Sequence, residues 1–334
     1  MKITIISHDV WGFGKHIYLH IQKLNLEATY INCMEFKYKH GNIIKRATNF
    51  FSKTFLNKNI KKIHRTNKII QELEKLKYQD FILVINSGDF DPKVFDLAKT
   101  KTKSLITYNY DSFKRVPLTP YAFDIFEKIY SFDSEDVKEN DKLIKINNFI
   151  YTPKYPLKEK FTTKAFIVLS RDKKRNIIIS KIADQFDKNG YSGKYEFIII
   201  DKKNEKLNKN LFFTDKNVSH NVLQSKIENT EIMIDIVREN QTGLSFRVFE
   251  SLAHQKKLII NNPIIKNYPF YNPNNILIID TTNPQIPLSF LETKYEPIDD
   301  DIYNKFTINS WVNTVFELEN NQRFKQCTLS NTNS

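Results

Sequence analysis

The sequence predicts an α/β protein of two domains, each with a doubly wound parallel sheet, on the basis of three observations. Short β-branched and aromatic runs alternate with helix-like segments, which is the pattern of parallel strands joined by crossover helices. The alternation occurs twice, and a proline-containing stretch without clear periodicity separates the two series. The length of 334 residues also exceeds the roughly 100–200 residues expected of one domain.

The first domain is predicted over residues 1–150. Its helices are expected at residues 11–24 and 91–99, between strand-like runs. Strands are expected at residues 2–7, 28–33, 81–86, 104–109, 129–132 and 143–148. This order of elements is typical of a Rossmann-like domain.

The second domain is predicted over residues 164–326, after a linker at 151–163 that contains Pro153 and Pro156. Its helices are expected at residues 176–189, 221–228, 245–254 and 308–319. Its strands are expected at residues 165–169, 195–200, 211–214, 231–236, 257–261 and 276–279. The polar residues 327–334 are predicted to form a disordered tail.

The segment 37–78 is a basic helical insertion in the first domain, with twelve lysines and arginines against Glu72 and Glu74. Its apolar residues fall at helical spacing and predict an amphipathic helix or helix pair. Two alternatives remain open. The helix packs on its own domain and exposes a solvated basic face, or it lies on the anionic surface of a membrane.

Composition excludes several classes of protein. Lysine and arginine number 51 against 38 aspartates and glutamates, a balance that favours an anionic partner such as nucleic acid, a membrane surface or a phosphorylated substrate. Only Cys33 and Cys327 are present, so neither a disulfide framework nor a cysteine-based zinc site is expected, and a reducing cytoplasm is favoured. We also expect no signal peptide and no membrane-spanning segment, since no apolar run reaches about 18 residues.

The strongest local pattern runs from Gln241 to Ala253 and contains Gly243 in a turn that opens a helix. Such a turn presents free backbone N–H groups to an anion. Arg247 and Glu250 share a face of the helix, where the arginine can bind phosphate and the carboxylate can bind a ribose diol. The alternative is an ordinary helix cap with an intrahelical Arg247–Glu250 pair.

A second basic loop follows the first strand of the second domain. Ser170, Arg171 and Lys174 lie there, at the carboxyl edge of the predicted sheet, where ligands bind in this class of fold. The cations suit a diphosphate, and the alternative is a solvated charged loop. His220, before a predicted helix, either lines the same site or belongs to a helix cap.

The loop after the first strand contains Gly12 and Gly14, which permit close approach of the backbone to a ligand. It does not match the dinucleotide-binding glycine pattern, because Ile17 occupies the last position. A general base needs a carboxylate or a neutral imidazole, so Asp9, His16 and Asp111 are the candidates. Each of the three is also a candidate for a plain turn or capping residue.

The stretch 241–262 resembles the donor-site signature of group 1 glycosyltransferases, and most closely their bacterial capsule and lipopolysaccharide branch. Residues 268–276 resemble the same branch, as do residues 108–115, 123–124 and 130–133. The resemblance covers most of both domains in the same order. It implies the GT-B fold, in which two Rossmann-like domains face a cleft, and a reaction that moves a sugar from a nucleotide-diphosphate donor to a surface glycan.

The resemblance also implies roles for residues. Glu250 is similar to the glutamate that holds the nucleotide ribose, and Arg171 and Lys174 correspond in position to diphosphate-binding residues. The implied donor site also includes Ser170, His220, Gln241, Thr242, Gly243, Leu244 and Arg247. The implied acceptor site, for a glycan or lipid-linked glycan, includes Gly12, Gly14, Lys114 and Arg115. Thr242 stands where many retaining members carry an acid, so the stereochemical outcome stays open.

The sequence contains no P-loop, HExxH, nucleophile elbow or metal-spaced His/Cys cluster. No DxD motif lies at a strand end, so no cofactor and a metal-independent reaction are expected, in the cytoplasm or at the inner face of its membrane. Two other functions stay open: a non-catalytic basic protein that binds a membrane or nucleic acid, and a sugar-nucleotide epimerase on the same fold. No nucleic-acid motif supports nucleic-acid binding.

Overall fold

A computed structural model describes residues 1–38, 59–201, 211–216, 218, 220–239 and 241–318, without the side chains of residues 220 and 221. It divides into two compact units. Unit 1 comprises Met1–Asn147 and the described residues from Ile308 onward, and unit 2 comprises Asn148–Thr307. The predicted tail at 327–334 and residues 39–58 of the basic insertion lie outside the described residues.

Unit 1 contains a six-stranded parallel sheet in the order β2-β1-β3-β4-β5-β6. Its strands are β1 (Lys2–Ser7), β2 (Glu27–Asn32), β3 (Gln79–Ile85), β4 (Thr102–Asn109), β5 (Lys128–Ser131) and β6 (Leu143–Lys145). Its helices up to residue 147 are α1 (Phe13–Lys23), α2 (Ile60–Lys75), α3 (Pro92–Thr100), α4 (Ala122–Ile125) and α5 (Ser134–Glu139).

The strands of unit 1 are β-branched runs because helices cover both faces of a parallel sheet. Ile3, Ile5 and Ile6 of β1 are fully buried. Helix α2, the described part of the basic insertion, packs its apolar stripe on this unit through Ile69 and Leu73, which are buried in the core. The alternative of a membrane-surface helix stays a prediction.

Unit 2 contains a second six-stranded parallel sheet in the order β12-β11-β10-β7-β8-β9. Its strands are β7 (Thr163–Ser170), β8 (Tyr195–Ile200), β9 (Phe212–Thr214), β10 (Thr230–Asp235), β11 (Lys257–Ile260) and β12 (Ile276–Ile278). Its helices are α6 (Lys173–Lys188), α7 (His220–Glu228), α8 (Phe246–Ala253), α9 (Leu288–Glu292) and α10 (Asp300–Asn304). Two apolar clusters pack on the sheet.

The prediction of two doubly wound α/β domains is confirmed, and each of the twelve predicted strands is present within a few residues of its expected bounds. Two boundaries differ. The last helix, α11 (Ile308–Val315), was expected in the second domain but belongs to unit 1. Buried Trp311 explains the difference, because its ring packs against Tyr108 of β4 with 4.9 Å between centroids.

The expected linker at 151–163 is part of unit 2 rather than a separate connector. The ring of Tyr155 stacks on His254 with 3.9 Å between centroids, and its backbone N–H donates to the carbonyl of Ala253. Prolines prevented regular structure here, as expected. Aromatic packing nevertheless fixes the segment on the unit that follows it.

Strand order locates the ligand-binding edge of each unit. Counted within unit 2, the order is 3-2-1-4-5-6, the Rossmann arrangement, and it reverses between β7 and β10. In unit 1 the order reverses between β1 and β3. In open α/β sheets ligands bind beyond the carboxyl ends of the strands at such switch points. The loops after β7 and β10, and those after β1 and β3, are therefore the places to look for function.

Candidate functional site

The switch point of unit 2 is built on Asp235, the buried last residue of β10. Its carboxylate accepts a hydrogen bond of 2.8 Å from the Ser245 hydroxyl, and that hydroxyl in turn accepts from the backbone N–H of Arg247 and caps α8. Burial raises the pKa of Asp235, and the nearby Arg247 and Arg175 oppose the shift. The strand end thus fixes where α8 begins.

Arg247 lies in the first turn of α8 and is half-buried. Its guanidinium makes no hydrogen bond or ion pair with any side chain or backbone group that the structure describes. No hydrogen bond or ion pair is described between Arg247 and Glu250, the intrahelical pair that the sequence analysis left open as the alternative. A cation at a helix N-terminus, beside a strand end and without a protein partner, is well placed to bind an anion.

Arg175 and Arg238 add positive charge at the same switch point. Arg175 donates to the carbonyl oxygens of Ser170 and Ile236, the ends of β7 and β10, so it joins the two loops. Both arginines lie within 3.6 Å of the Asp172 carboxylate. Burial and then the charge of Arg238 lower the pKa of Arg175 to about 10. The arginines therefore stand close enough to repel each other, which an anion would relieve.

The cations that the sequence put forward are held in ion pairs. The Nε of Arg171 lies 3.2 Å from the carboxylate of Asp201, which is buried. Lys174 projects into solvent and pairs with Glu239 at 2.6 Å. Both lie in the loop region predicted for the diphosphate, so their role stays a prediction, and Arg175 and Arg247 are the cations turned toward the strand ends.

The remaining predicted donor residues fall into three environments. Ser170 is exposed at the end of β7, and Gln241 and Thr242 are half-buried in the loop before α8. Gly243 is buried in the same loop. The Leu244 side chain is part of the apolar core, and its carbonyl oxygen accepts a hydrogen bond from the Asn148 amide. The side chain of His220 lies outside the described residues.

Glu250 is buried on α8, where it accepts a hydrogen bond from the Tyr151 hydroxyl. Burial, followed by the charge of Glu250, raises the pKa of Tyr151, so the phenol stays protonated and donates. The Tyr151 ring also packs edge-on against Phe246 at 6.0 Å between centroids. Tyr151 therefore orients the carboxylate that the resemblance assigns to the ribose.

The switch point of unit 1 joins the ends of β1, β3 and β4. Asn86, in a left-handed conformation with φ of 53°, donates to the Asp111 carboxylate and accepts from the backbone N–H of Tyr110. The loop residue His8 stacks on Phe90 with 4.3 Å between ring centroids. Three strand ends are thus tied together by one asparagine and one aromatic contact.

Asp9 caps α1 rather than standing free as a base. Its carboxylate accepts from the backbone N–H groups of Gly14 and Lys15, at 3.0 and 2.9 Å, and from the Tyr30 hydroxyl. Gly12 precedes the helix with φ of 86°, a conformation that favours glycine. A Cβ on Gly14 would lie 3.0 Å from Ser7 Cβ, so this glycine allows α1 to approach β1 closely.

The other candidates of unit 1 are largely paired as well. Asp111 accepts from Arg115 and Asn86, and exposed Lys114 pairs with Glu135 at 3.1 Å. His16 lies half-buried in α1. The switch point brings Asp111 and Arg115 together with His8, whereas Lys114 faces solvent. No observation here tests their predicted roles as base or acceptor contacts.

Asp89 is a candidate that the sequence analysis missed. It ends the short 3-10 turn Ser87–Asp89 after β3, and its carboxylate makes no hydrogen bond or ion pair within the described parts of the chain. Burial and then the charge of Asp111 raise its pKa. Its position shortly after a strand, in the sequence Ser87-Gly88-Asp89, was the available signal, and Asp235 has a comparable position at the end of β10.

Two further features of the described residues bear on function. No group of three or more His, Cys, Asp or Glu side chains is arranged there to hold a metal ion. Within the same ranges, no helix is both long and apolar enough to cross a bilayer.

No protein-family model matches this sequence, and no curated protein matches it either. Solved structures do match. The UDP-forming α,α-trehalose-phosphate synthase from Burkholderia xenovorans has a TM-score of 0.53 and 9% identity, over 95% of this chain and 98% of that chain. The UDP-GlcNAc 2-epimerase from Methanocaldococcus jannaschii has a TM-score of 0.49 and 12% identity, over 93% and 100% of the two chains.

A trehalose-6-phosphate synthase structure gives the same values as the Burkholderia enzyme: a TM-score of 0.53 and 9% identity over 95% and 98% of the two chains. These synthases have the GT-B fold, and this chain shares it: two α/β units, each with a six-stranded parallel sheet. At such identities the likeness shows the fold.

Proposed function

We propose that this chain is a nucleotide-sugar-dependent glycosyltransferase, whose unit 2 binds the nucleoside-diphosphate sugar and whose unit 1 binds the acceptor. The observation that carries the proposal is the switch point of unit 2, where Arg247 lies beside Arg175 and Arg238 and has no partner among the residues that the structure describes. The sequence resemblance and the shared fold support the same class. Following the branch that residues 241–262 resemble, we propose a bacterial surface glycan, such as capsule or lipopolysaccharide, as the acceptor.

The chemistry of the donor site follows from its charges. When the bond between the sugar and the diphosphate breaks, negative charge grows on the leaving phosphate. Arg247, the N–H groups that open α8 and the neighbouring arginines would stabilise that charge from fixed positions. This arrangement needs no metal ion, so we propose a metal-independent reaction. Glu250, oriented by Tyr151, would accept hydrogen bonds from the ribose hydroxyls.

The acceptor hydroxyl must lose a proton as it attacks the sugar. Among the carboxylates of unit 1, Asp9 caps a helix and Asp111 binds Arg115 and Asn86, so both have donors already. Asp89 makes no such bond with the described residues, and its raised pKa brings it closer to the range of an effective base. We therefore propose Asp89 as a fourth candidate for the general base, besides Asp9, His16 and Asp111.

We also propose that the protein acts in the cytoplasm or at the inner face of its membrane. Cys33 and Cys327 lie far apart in the sequence and do not suggest a disulfide framework, which suits the reducing cytoplasm. A nucleotide-sugar donor suits the same compartment. Attachment of the segment 37–78 to the inner face of the membrane is part of the same proposal. Recruitment of the protein by anionic but not by neutral vesicles would support it.

Calorimetric titration with UDP, GDP and CMP tests the donor site. We expect one nucleotide to bind, and Arg247→Met to weaken that binding about 10- to 100-fold, since a hydrogen bond to a charged group contributes about 1.5–3 kcal/mol. Lys188→Met is the matched control: it removes a cation from the last turn of α6, at the far end from the strand edge. Unchanged affinity in Arg247→Met, or no binding of any nucleotide at millimolar concentration, would reject the donor site.

Analysis of the products separates the enzyme classes. With a nucleotide-sugar panel and no acceptor, a glycosyltransferase is expected to release free sugar slowly and to leave the unreacted donor unchanged. Conversion of the donor to its C2 epimer would assign the chain to the epimerases instead. Nucleotide binding without any turnover, with or without glycan acceptors, would favour a binding protein.

A further inference from the structure

The carboxyl edge of unit 1 contains a cluster of buried polar atoms that the described chain leaves unsatisfied. Ser7 Oγ, His8 Nδ1, Ser87 Oγ and Arg65 Nε are all buried without a hydrogen-bond partner. Ser7 and His8 end β1, Ser87 follows β3, and Ser7 pairs in register with Ile85 in the sheet. Buried polar groups are nearly always hydrogen-bonded, so a concentration of exceptions at a switch point indicates a ligand.

Arg65 is the central member of this cluster. It lies in the second turn of α2, is only partly exposed, and makes no hydrogen bond or ion pair with any residue that the structure describes. A guanidinium nitrogen that is removed from water without a hydrogen-bond partner is unfavourable for folding. Its cost to folding is explained if an anion binds there.

Lys62 precedes Arg65 by three residues and shares its helix face. Its ammonium is also without a hydrogen-bond or ion-pair partner within the described ranges. Both cations act on the same imidazole: burial, then Arg65, then Lys62 lower the pKa of His8 to about 4. His8 is therefore neutral at pH 7, and the charge of this edge comes from the two cations.

Asp89 is the acidic group that shares this edge with the cations. Lys62, Arg115 and Arg65 all act to lower its pKa, yet burial and Asp111 leave it raised. It forms no ion pair with Arg65 or Lys62, although all three residues belong to the described chain. A ligand that presents an anion to the cations and a hydroxyl to Asp89 would match the charges of this edge.

We propose that Arg65, Lys62 and His8 form a phosphate-binding subsite at the carboxyl edge of unit 1, and that the ligand there is the phosphate group of the acceptor. Arginine binds a phosphate through two parallel N–H groups, lysine adds a point charge, and the buried His8 Nδ1 completes the set. The assignment of this ligand as the acceptor rests on the proposed function. The phosphate belongs either to a soluble sugar phosphate or to a lipid headgroup.

The test measures phosphate binding on the full-length protein. Inorganic phosphate and glucose 6-phosphate are titrated by calorimetry, with glucose as the neutral comparison. We expect both phosphates to bind, and Arg65→Met to weaken them by about tenfold or more. Lys68→Met is the matched control, because it removes an exposed cation from the same helix. Its affinity should stay within about twofold of the wild type.

Two readouts keep the outcome interpretable. Arg65→Met should be at least as resistant to heat as the wild type, because it removes a cation without a partner, so weaker binding cannot come from unfolding. Binding of UDP, GDP and CMP is measured on the same samples. If inorganic phosphate, glucose 6-phosphate and vesicles of phosphatidic acid all fail to bind while a nucleotide still binds, the subsite alone is overturned, and loss of nucleotide binding bears on the proposed function instead.

Vesicles distinguish the source of the phosphate. Arg65-dependent binding to vesicles that contain phosphatidic acid, without binding of glucose 6-phosphate, would assign the subsite to a lipid-linked acceptor. Binding of glucose 6-phosphate alone would assign it to a soluble one. Equal loss of affinity in Arg65→Met and Lys68→Met would show a diffuse effect of net charge and would overturn the subsite.

Discussion

The two switch points differ in how the protein satisfies their charged side chains. In unit 2, Arg171, Lys174 and Arg175 are each held by a carboxylate of the same unit, and Arg247 is the exception among the described arginines of these loops. In unit 1, Arg115 is likewise held by Asp111, but two other charged side chains of the same edge are not held in this way. Arg65 and Asp89, of opposite charge and at one edge, are both without hydrogen-bond or ion-pair partners among the described residues.

This difference has a physical meaning for binding. Side chains already fixed by ion pairs lose little conformational freedom when a ligand arrives, so unit 2 is preorganised. Unsatisfied side chains raise the free energy of the unliganded state, so the stability of unit 1 is expected to rise when its ligand binds. Variants of Trp311, Glu250 and Asp89 test this difference between the two units.

The largest effect is expected from Trp311→Ala, which tests whether the C-terminal helix belongs to unit 1. Trp311 is 4% exposed and packs on Tyr108. Truncation of a buried tryptophan costs about 3–5 kcal/mol in free energy of unfolding. Native-state hydrogen exchange should therefore show loss of amide protection in β4 of unit 1 but not in β10 of unit 2.

The chain provides its own control, because its other tryptophan, Trp11, is 62% exposed. Trp11→Ala should change the free energy of unfolding by about 0.5 kcal/mol or less, as exposed substitutions usually do. Greater loss of protection in β10 than in β4 after Trp311→Ala would return α11 to unit 2, as the sequence alone suggested.

That error shows what sequence reasoning can and cannot establish. The strands were predictable because a parallel strand that is buried on both faces is typically a short run of β-branched residues, as in β1 and β11. The unit to which α11 belongs was not predictable, because the apolar face of a helix can pack on either sheet. The contact of Trp311 with the ring of Tyr108 places α11 in unit 1. The ion pair of Arg171 with Asp201 was not predictable either, nor was the lack of a described partner at Arg65, since such contacts depend on residues distant in sequence.

The next effect concerns Glu250, the unit 2 carboxylate that Tyr151 orients. Glu250→Ala should weaken nucleotide binding about 10- to 100-fold, because a charged hydrogen bond to the ribose contributes about 1.5–3 kcal/mol. Tyr151→Phe should weaken nucleotide binding less, because it removes a donor to Glu250 and leaves the carboxylate in place. Calorimetric titration of both variants with the nucleotide that binds the wild type gives the comparison.

A structural role for Glu250 makes a different prediction. If the carboxylate serves only to hold Tyr151, both variants lower the melting temperature by similar amounts and the affinity of each for nucleotide equals that of the wild type. That result would remove Glu250 from the donor site and leave Arg247 as its main polar contact.

The smallest effect on the free energy of unfolding is expected from Asp89→Asn. The sign of this effect decides whether the Asp89 carboxylate lacks a stabilising partner in the absence of a ligand. Because burial and Asp111 raise the pKa of Asp89 in the folded state, the folded protein binds this proton more tightly than the unfolded chain does. Asp89 therefore favours folding below its unfolded pKa of about 3.9, and that contribution falls as the pH rises through the higher folded value. Asparagine cannot ionise, so Asp89→Asn should be slightly more stable than the wild type at pH 7, by about 0.5 kcal/mol or less, and should lose this advantage toward pH 4.

Urea denaturation of Asp89→Asn at both pH values, followed by Trp311 fluorescence in a Trp11→Phe background, measures this difference in the stability of unit 1. A variant at Asp89 that is less stable than the wild type at pH 7 would mean that this carboxylate has a stabilising partner, and the contrast between the two switch points would then disappear.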